Sequence, residues 1–500
     1  MKTIFRFLIL LSLMLPFGSI HSENPKREFR GAWLHIIGQS QWQNKTVDQT
    51  KNYIIDQLNK LQEAGCNAVI FQVRPTADAF YISELEPWTK WYTGSRGKAP
   101  NPLWDPMAFT IEEAHKRGME FHAWMNPYRV TSGNETLPAS HDANKEPWRF
   151  MRYNGMVFFD PAYQENRDFI CEVVADIVTR YDIDAIHMDD YFYPYPKQGS
   201  PLPDNDSYKQ FGNGMSREDW RRDNVNKLIK QLNTTIKDIK PWVRFGISPF
   251  GIWRNKKNDP RGSESNGLQN YDNLYADILL WAKNGWVDYL APQLYWELDL
   301  KVAPSRHLAK WWNDNSYGVD VYIGQDVNRT MKTADPGNHD KNELATKVKL
   351  SRDLPNVKGN IWWHGYWVTE NLKGVKDSLA NKHQSTIALP PAYGDKSKKP
   401  KPVKDLKIVQ ENNNIMLTWT PPASGSKESE TDAVKFLVYE FFPDEKPDLE
   451  NSEAIINMTP NSRVKLNSVN EESSLSGSTF VVTAIDRMNR ESEPVKITVK

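Results

Sequence analysis

Two adjacent carboxylates, Asp189 and Asp190, stand in the segment DAIHMDDYFYPYP, between an apolar stretch and a run of aromatic residues and prolines. A third acid, Glu297, follows another apolar stretch in DYLAPQLYWE. Cleavage of a glycosidic bond needs one carboxylic acid that protonates the leaving oxygen and one carboxylate that acts as base or nucleophile at the anomeric carbon. These residue types therefore indicate acid–base chemistry on a sugar, provided that the fold brings them together.

The elements that would position these acids repeat along the chain. Short apolar runs alternate with amphipathic stretches in which apolar residues recur every three or four positions, a rhythm typical of strand–helix units around a parallel sheet. The candidate strands cover 29–36, 67–75, 120–128, 184–191, 244–252, 287–296, 319–327 and 359–367. Eight such units predict an α/β fold, a closed (β/α)8 TIM barrel over residues 28–390.

Side-chain alternation along the strands assigns roles to the acids. Reactive groups of such a barrel project from the carboxyl ends of the strands, because the interior is packed. In the fourth strand, alternation places His187 and Asp189 on the inward face and Asp190 on the other. We therefore expect Asp189 to be the nucleophile or base, and Asp190 to be a supporting or substitute carboxylate.

The sixth strand supplies the second half of the pair. Alternation groups Gln293, Tyr295 and Glu297 on one face, which makes Glu297 the expected general acid. The alternative is that strand-end carboxylates only cap helices or pair with an arginine such as Arg74. The stereochemical outcome stays open, because it depends on the distance between the carboxyl groups.

Hydrogen-bonding and aromatic side chains surround the predicted strand ends. Sugar rings present apolar faces that stack on aromatic planes, and their hydroxyls need polar partners. Trp124 lies at a strand end, and Asp78 and Asp326 could also line the site. The residues predicted to bind substrate are Arg74, Asn126, Tyr128, His187, Tyr191, Gln293, Tyr295, Trp296, Trp363 and His364.

Composition excludes several other classes of protein. Lys and Arg together number 63, as do Asp and Glu, so no net charge draws the chain to nucleic acid. No histidine and acid cluster has the spacing of metal ligands, and no glycine-rich phosphate loop follows a strand, so no metal or cofactor is expected. Cys66 and Cys171 lie in apolar-patterned segments and are predicted to be buried thiols.

The first 22 residues predict an export signal. Lys2 and Arg6 precede an apolar run from Leu8 to Leu15, and small or polar residues follow. The run is well short of the roughly 20 residues that span a bilayer, so no integral membrane segment is expected. The sequence therefore predicts a periplasmic or extracellular protein.

The C-terminal fifth of the chain has a different pattern. Residues 391–402, PAYGDKSKKPKP, predict a linker, and residues 403–500 alternate without helical periodicity, which favours a β-sandwich. The segments LTWTPP, FLVYEF and FVVTAIDRMNRESEP resemble a fibronectin type III domain. Such a module would act as a spacer, or as an adaptor to a protein partner in the cell envelope.

The barrel segments resemble a known family. REFRGAWLHI, NAVIFQVRPTADAFY, FHAWMNPYRV, FFDPAYQENRDFI, IDAIHMDDYFYPYP, ISPFGIWRN, DYLAPQLYWE and IWWHGYW are similar, in this order, to glycosyl-hydrolase-like family 10. The resemblance implies an exported barrel glycosidase that acts on a polysaccharide, and the bacterial members include a divisome-associated hydrolase of peptidoglycan glycan strands. Members often carry a fibronectin-like C-terminal module.

A more distant resemblance concerns the fourth strand alone. DAIHMDDY looks like the corresponding motif of α-amylase-type barrels, which implies that Asp189, two residues after a basic residue, is the nucleophile. Here His187 replaces the arginine of that motif, and the fifth strand end, ISPFGIWRN, has no carboxylate, which again assigns the acid role to Glu297. A glycan-binding protein without catalysis, built on the same barrel, is the alternative hypothesis.

Overall fold

Eight parallel strands close into a barrel in the computed structural model of the protein, which describes residues 24–335, 337, 339–468 and 475–499. Their order around the barrel is their order along the chain, and each pairs with its two neighbours in parallel register. The predicted (β/α)8 barrel is confirmed. The barrel strands are β1 (Phe29–Leu34), β2 (Ala68–Arg74), β3 (Glu120–Met125), β6 (Ala185–Met188), β7 (Arg244–Ile247), β8 (Tyr289–Leu290), β9 (Asp320–Asp326) and β10 (Val357–Trp363).

Helices connect successive barrel strands and cover the outside, and one antiparallel hairpin is inserted after β3. The hairpin consists of β4 (Phe150–Tyr153) and β5 (Met156–Phe159). The helices are α1 (Val47–Glu63), α2 (Lys90–Thr93), α3 (Pro106–Lys116), α4 (Asp142–Lys145), α5 (Gln164–Arg180), α6 (Asn205–Phe211), α7 (Arg217–Ile239), α8 (Asn270–Asn273), α9 (Ile278–Lys283), α10 (Ser305–Asp314), α11 (Val327–Lys332), α12 (Leu344–Asp353), α13 (Gly365–Thr369) and α14 (Val375–Ser378).

The first helix shows why these segments are helical. Thr46 accepts a hydrogen bond from the Gln49 amide, and the Gln49 side chain accepts one from the Thr46 amide, so both ends of a capping box are made. Ile54, Leu58 and Leu61 then recur at helical spacing and are fully buried against the barrel. Local capping and one apolar face together fix α1 on the outside of the barrel.

A column of hydrogen-bonded polar side chains runs through the barrel interior, among apolar residues that include Phe29, Ile70 and Ile361. His187 Nε2 accepts from Trp33 Nε1 (3.2 Å), and His187 Nδ1 lies 2.9 Å from the Tyr289 hydroxyl. That hydroxyl lies 2.8 Å from His122 Nδ1, and His122 Nε2 lies 2.9 Å from Glu120 Oε2. All three of these partners of His187 and His122 are nearly or fully buried, so the column runs from the barrel base to the level of Trp33.

The direction of these hydrogen bonds follows from the chemistry of the two ends. The Trp33 indole can only donate and an ionised Glu120 can only accept, so neutral His187 carries its proton on Nδ1 and His122 on Nε2. Burial lowers the pKa of His187 well below its usual range, which keeps the ring neutral. Burial opposes ionisation of Glu120, but the adjacent Arg244 guanidinium outweighs it and lowers the pKa of Glu120.

The C-terminal domain is a sandwich of two antiparallel sheets. One sheet has the order β11 (Lys404–Glu411), β12 (Asn414–Thr420), β15 (Arg463–Ser468); the other has the order β14 (Ile455–Thr459), β13 (Ala433–Phe441), β16 (Thr479–Asp486), β17 (Val495–Thr498). Leu417 and Trp419 of the first sheet and Phe436 and Val482 of the second share one apolar core. The predicted all-β domain is confirmed, and its fibronectin type III character stays a prediction.

The sandwich packs on the amino-terminal ends of the barrel strands. Asn489 Nδ2 donates to Glu120 Oε1 (2.6 Å), and Arg487 forms an ion pair with Asp182. Residues 391–402, the predicted linker, contain no helix or strand, and Tyr393 within them donates to the Trp242 carbonyl (2.6 Å). The loops at the opposite end of the barrel are therefore left open to solvent by this domain.

Two further expectations concern single residues and the N-terminus. Cys66 and Cys171 are both free and buried, as predicted. The predicted export signal lies outside the described residues. Within the described part of the chain, no helix is both long and apolar enough to cross a membrane.

Gly246 of β7 provides a test of the packed interior. A Cβ atom at this position would lie 1.9 Å from Tyr289 Cζ, whose ring holds the centre of the polar column. Because overpacking of a filled core typically costs about 1–3 kcal/mol, Gly246→Ala is expected to lower the free energy of unfolding by at least about 3 kcal/mol in denaturant titration. Gly133→Ala is the control, since a Cβ atom there meets nothing within 4 Å. Equal stability of the two variants would contradict this packing.

Candidate active site

A cavity of about 390 Å³ opens at the carboxyl ends of the barrel strands, opposite the sandwich. Residues that follow β3, β6, β7, β8, β9 and β10 or end them contribute to it, which is where a barrel of this kind places its chemistry. The lining residues are Trp33, Trp124, Asp189, Asp190, Tyr191, Tyr195, Ser248, Phe250, Gln293, Tyr295, Trp296, Asp326, Arg329 and Trp363.

Asp189 is held rigidly at the cavity floor. Its Oδ1 accepts from Asn126 Nδ2 (2.8 Å) and more weakly from the Tyr191 amide (3.4 Å), and its Oδ2 accepts from Trp124 Nε1 (3.1 Å). All three partners donate, which favours the ionised carboxylate. Burial nevertheless outweighs these donors and the positive charge of Arg129, and the pKa of Asp189 is raised.

Asp190 lies beside Asp189 in the same cavity but in a different environment. The Tyr195 hydroxyl donates a hydrogen bond to Asp190 Oδ2, and Asp190 is only 2% exposed. Burial, followed by the negative charge of Asp189, raises the pKa of Asp190 to about 6. Asp190 therefore retains its proton to a higher pH than an ordinary aspartate.

The end of β6 explains why both aspartates reach the cavity. Alternation separates neighbouring side chains only while the chain stays extended, and β6 ends at Met188. Beyond that point the Phe192 amide donates to the Asp190 carbonyl in a tight turn. The expectation that Asp190 faces away from the inward side is therefore not met, because the strand has already ended.

Aromatic rings form the walls of the cavity. Tyr295 stacks on Trp363 with an interplanar angle of 13°, and Trp33 and Trp124 meet Trp363 edge-on at centroid distances of 6.3 and 6.1 Å. Across the cavity, Phe250 contacts Trp296 at 5.4 Å. Ring faces beside carboxyl groups and the Gln293 amide suit the mixed apolar and polar surface of a sugar.

A third carboxylate, Asp326, lines the cavity at the end of β9. Its Oδ1 accepts from the Arg329 amide (2.7 Å), so it caps α11 while remaining half-buried beside the opening. Burial raises the pKa of Asp326. The cavity therefore holds three carboxyl groups and one cationic side chain, that of Arg329.

The structure does not bring Glu297 into this cavity. β8 ends at Leu290, and Pro292 follows, so the alternation used to orient Glu297 does not extend that far. Its Oε2 lies 3.9 Å from Arg329 and, among the described residues, makes no hydrogen bond. Asp190, rather than Glu297, is the second carboxyl group beside Asp189.

Three of the predicted binding residues are likewise placed outside the cavity lining. Arg74 is fully buried, with Nε and Nη2 paired to Glu86 and Nη1 donating to the Asn126 carbonyl. Tyr128 is fully buried in the barrel–helix layer. The His364 ring packs against Trp367 in a tilted arrangement, with ring centroids 3.8 Å apart.

Two others support the cavity from below. His187 is fully buried in the polar column and contacts Ser248 Oγ (3.1 Å) under the floor. Asn126 is also fully buried and acts through its hydrogen bond to Asp189. Asp78, fully buried, does not line the cavity. The predicted residues that do line it are Trp124, Asp189, Asp190, Tyr191, Gln293, Tyr295, Trp296, Asp326 and Trp363.

Sequence reasoning missed Trp33, Tyr195, Ser248, Phe250 and Arg329. Trp33 could have been found, because it shares the inward face of β1 with Phe29 and Gly31. Tyr195 lies in the aromatic segment after Asp190, but only the loop conformation shows that it turns back to that carboxyl group.

Comparison with known proteins agrees with the chemistry of this cavity. The family model described as Glycosyl hydrolase-like 10 matches residues 28–342. Glycosyl hydrolase YngK of Bacillus subtilis is 38% identical over 100% of this chain and 99% of its own length. Glycosyl hydrolase DigH of Escherichia coli K12 is 37% identical over 68% of this chain and 83% of its own length.

Among solved structures, the catalytic domain of a beta-amylase from Paenibacillus polymyxa aligns with a TM-score of 0.45 at 10% identity, over 72% of this chain and 98% of that chain. The paired carboxyl groups of the cavity, the barrel that carries them and the extended sequence identity to two glycosyl hydrolases lead to one conclusion. The chain belongs to the glycosyl hydrolase-like 10 family and is a glycoside hydrolase that acts on O-glycosyl bonds.

Proposed function

We propose that the protein is an exported hydrolase of a polysaccharide, with peptidoglycan glycan strands as the candidate substrate, and that Asp189 and Asp190 carry the reaction. The observation that supports the assignment most is the position of two adjacent carboxyl groups in one cavity, with the pKa of Asp190 raised to about 6. A pair of carboxyl groups in different environments is the usual basis of acid and base roles in glycosidases.

In this proposal Asp190 is the general acid. Its carboxyl proton passes to the glycosidic oxygen as the bond between that oxygen and the anomeric carbon breaks, so the leaving sugar departs as a neutral alcohol. A raised pKa serves this step because the group must be protonated near the working pH. The Tyr195 hydroxyl orients Asp190 by its hydrogen bond.

Asp189 acts at the anomeric carbon and must be ionised to do so, whereas Asp190 must be protonated. Held by Asn126 and Trp124, its carboxylate either attacks this carbon or removes a proton from an attacking water. In both cases water finally supplies the hydroxyl group of the new reducing end. Tyr295 and Trp363 would stack on a sugar ring, and Gln293 would bind a hydroxyl.

The substrate proposal rests on the relatives and on the cavity walls. YngK and DigH are named glycosyl hydrolases, and the aromatic walls suit a polysaccharide chain. The sandwich lies at the opposite barrel end, where an envelope protein could bind it without blocking the cavity. Export is proposed from residues 1–22. Asn24, just after them, donates hydrogen bonds to the Lys382 carbonyl and to Ser385 Oγ, so the folded domain includes this residue.

Titration of Asp190 tests the electrostatic part of the proposal. Carboxyl carbon-13 NMR is expected to show two aspartates with a pKa of about 6, Asp78 and Asp190, and only the signal of Asp190 is absent from the Asp190→Asn variant. Asp189→Asn removes a negative neighbour and lowers the pKa of Asp190, whereas Tyr195→Phe removes a hydrogen bond to the carboxylate and raises it. A midpoint near 4 for Asp190 in the unmodified protein would contradict the assignment.

Variants of the carboxyl groups test the roles. Asp189→Asn and Asp190→Asn are each expected to lower kcat on a cleaved glycan by at least about 100-fold. Glu297→Gln, an isosteric change outside the cavity, is expected to leave kcat within about threefold. An aryl glycoside with an acidic leaving group needs little protonation, so it should restore turnover to Asp190→Asn and not to Asp189→Asn. A large loss in Glu297→Gln with an active Asp190→Asn would return the acid role to Glu297.

Export is tested by the N-terminus of the mature chain. Intact-mass measurement on protein produced by a bacterium that secretes it is expected to show removal of residues 1–22. Lys2→Glu with Arg6→Glu reverses the positive start and should keep the full-length chain inside the cell. Recovery of exported protein that still begins at Met1 would contradict a cleaved signal.

A further inference from the structure

A second cavity, of about 500 Å³, adjoins the active-site cavity. Tyr191 and Tyr195 line both, so the two cavities are parts of one continuous cleft. The second cavity lies between the segment that follows Asp190 and the hairpin of β4 and β5.

The two cavities have opposite charge. The first contains Asp189, Asp190 and Asp326, with Arg329 as its cation. The lining of the second contains Arg129 and Lys197 and no carboxylate. An anionic group on a bound chain would be repelled from the first cavity and attracted to the second.

Arg129 is ordered and forms no ion pair with a carboxylate of the described residues, although its charge acts on Asp189. Its guanidinium carbon lies 4.2 Å from the centre of the Tyr191 ring, and its backbone is fixed by a hydrogen bond to Asn126 Oδ1 and by pairing with Phe158. Its Nε is buried without a hydrogen bond, and no carboxylate in the described part of the chain lies within ion-pair distance. Stacked on one face, the guanidinium is left to bind a flat anion through its edge.

Lys197 supplies a second cation at the same cavity. Its amide is held by the Tyr153 hydroxyl at 2.8 Å, and its ammonium group forms no ion pair with any described residue. Met156, Phe158 and Pro194 form an apolar wall next to these charges. Cations beside an apolar wall fit a carboxylate that is carried by a largely apolar substituent or ring.

We propose that this second cavity is a subsite in which Arg129 and Lys197 bind the carboxylate of an acidic sugar, placing a neighbouring glycosidic bond at Asp189 and Asp190. The inference rests on the proposed function, since it names the substrate class of the same cleft. The carboxylate could belong to a lactyl ether, as on peptidoglycan strands without peptides, or to a uronic acid. Both carry the same charge, and the experiment distinguishes them.

Binding is measured by calorimetry with the full-length Asp190→Asn variant, so that turnover does not interfere. The ligands are peptide-free peptidoglycan oligosaccharides and oligogalacturonates, each compared with the same chain after reduction of its carboxyl groups to alcohols. At least one acidic ligand is expected to bind about tenfold or more tightly than its reduced form, because charge-assisted hydrogen bonds are lost on reduction. The ligand that shows this difference identifies the source of the carboxylate.

Charge-removing substitutions complete the test. Arg129→Gln and Lys197→Gln should each abolish most of the preference for the acidic ligand while leaving affinity for its reduced form unchanged. Lys197 is exposed, so its variant remains informative if Arg129→Gln destabilises the fold. Lys283→Gln, on the outer helix α9, makes the same charge change outside either cavity and should retain the preference.

Two results would overturn the subsite: no acidic ligand binding more tightly than its reduced form, or equal losses for both forms in the two variants. Failure of the proposed hydrolysis is a separate result. It would appear as absence of products from the unmodified protein. The difference in binding between acidic and reduced ligands would still test the subsite, because calorimetry does not depend on turnover.

Discussion

The eight barrel strands are parallel and the sheet they form is closed, so all their carboxyl ends meet at one rim. The closed sheet has no free edge, and its interior is filled by side chains, so polar groups at that rim gather over a solid floor. Asp189 from the fourth barrel strand, Gln293 after the sixth and Asp326 from the seventh are far apart in sequence and share one cavity for this reason. Every other feature of the active site depends on that shared rim.

The floor of the cavity is the upper end of the polar column, where Trp33 and His187 are both uncharged. Neutral His187 accepts a hydrogen bond from Trp33 and donates one to Tyr289. Tyr289 in turn donates to His122, and His122 donates to Glu120. Negative charge is thereby kept at the barrel base, where Arg244 and Asn489 meet Glu120. Burial raises the pKa of both cavity aspartates. At Asp189 the charge of Arg129 and the hydrogen bonds from Asn126 and Trp124 oppose this effect, whereas at Asp190 the negative charge of Asp189 adds to it.

Much of this architecture could be predicted from sequence, because period-two and period-3.6 patterns are local. The eight strands and the sandwich followed from them. Alternation failed where strands end: β8 stops at Leu290, so it could not orient Glu297, and β6 stops at Met188, so it could not separate Asp190 from Asp189. Arg74 was misplaced for another reason, since Glu86, twelve residues later, returns beneath the strand end and binds its guanidinium group. Tertiary contacts of this kind leave no periodic signal.

Hydrolysis by the aspartate pair is tested most directly by isotope labelling of the products. Peptidoglycan glycan strands and a panel of other polysaccharides would be incubated with the protein in water enriched in oxygen-18, and the products read by mass. The account predicts one oxygen-18 atom at each new reducing end, and no products from the variant that carries both Asp189→Asn and Asp190→Asn. Products without the label, or unchanged labelled products from that double variant, would contradict it.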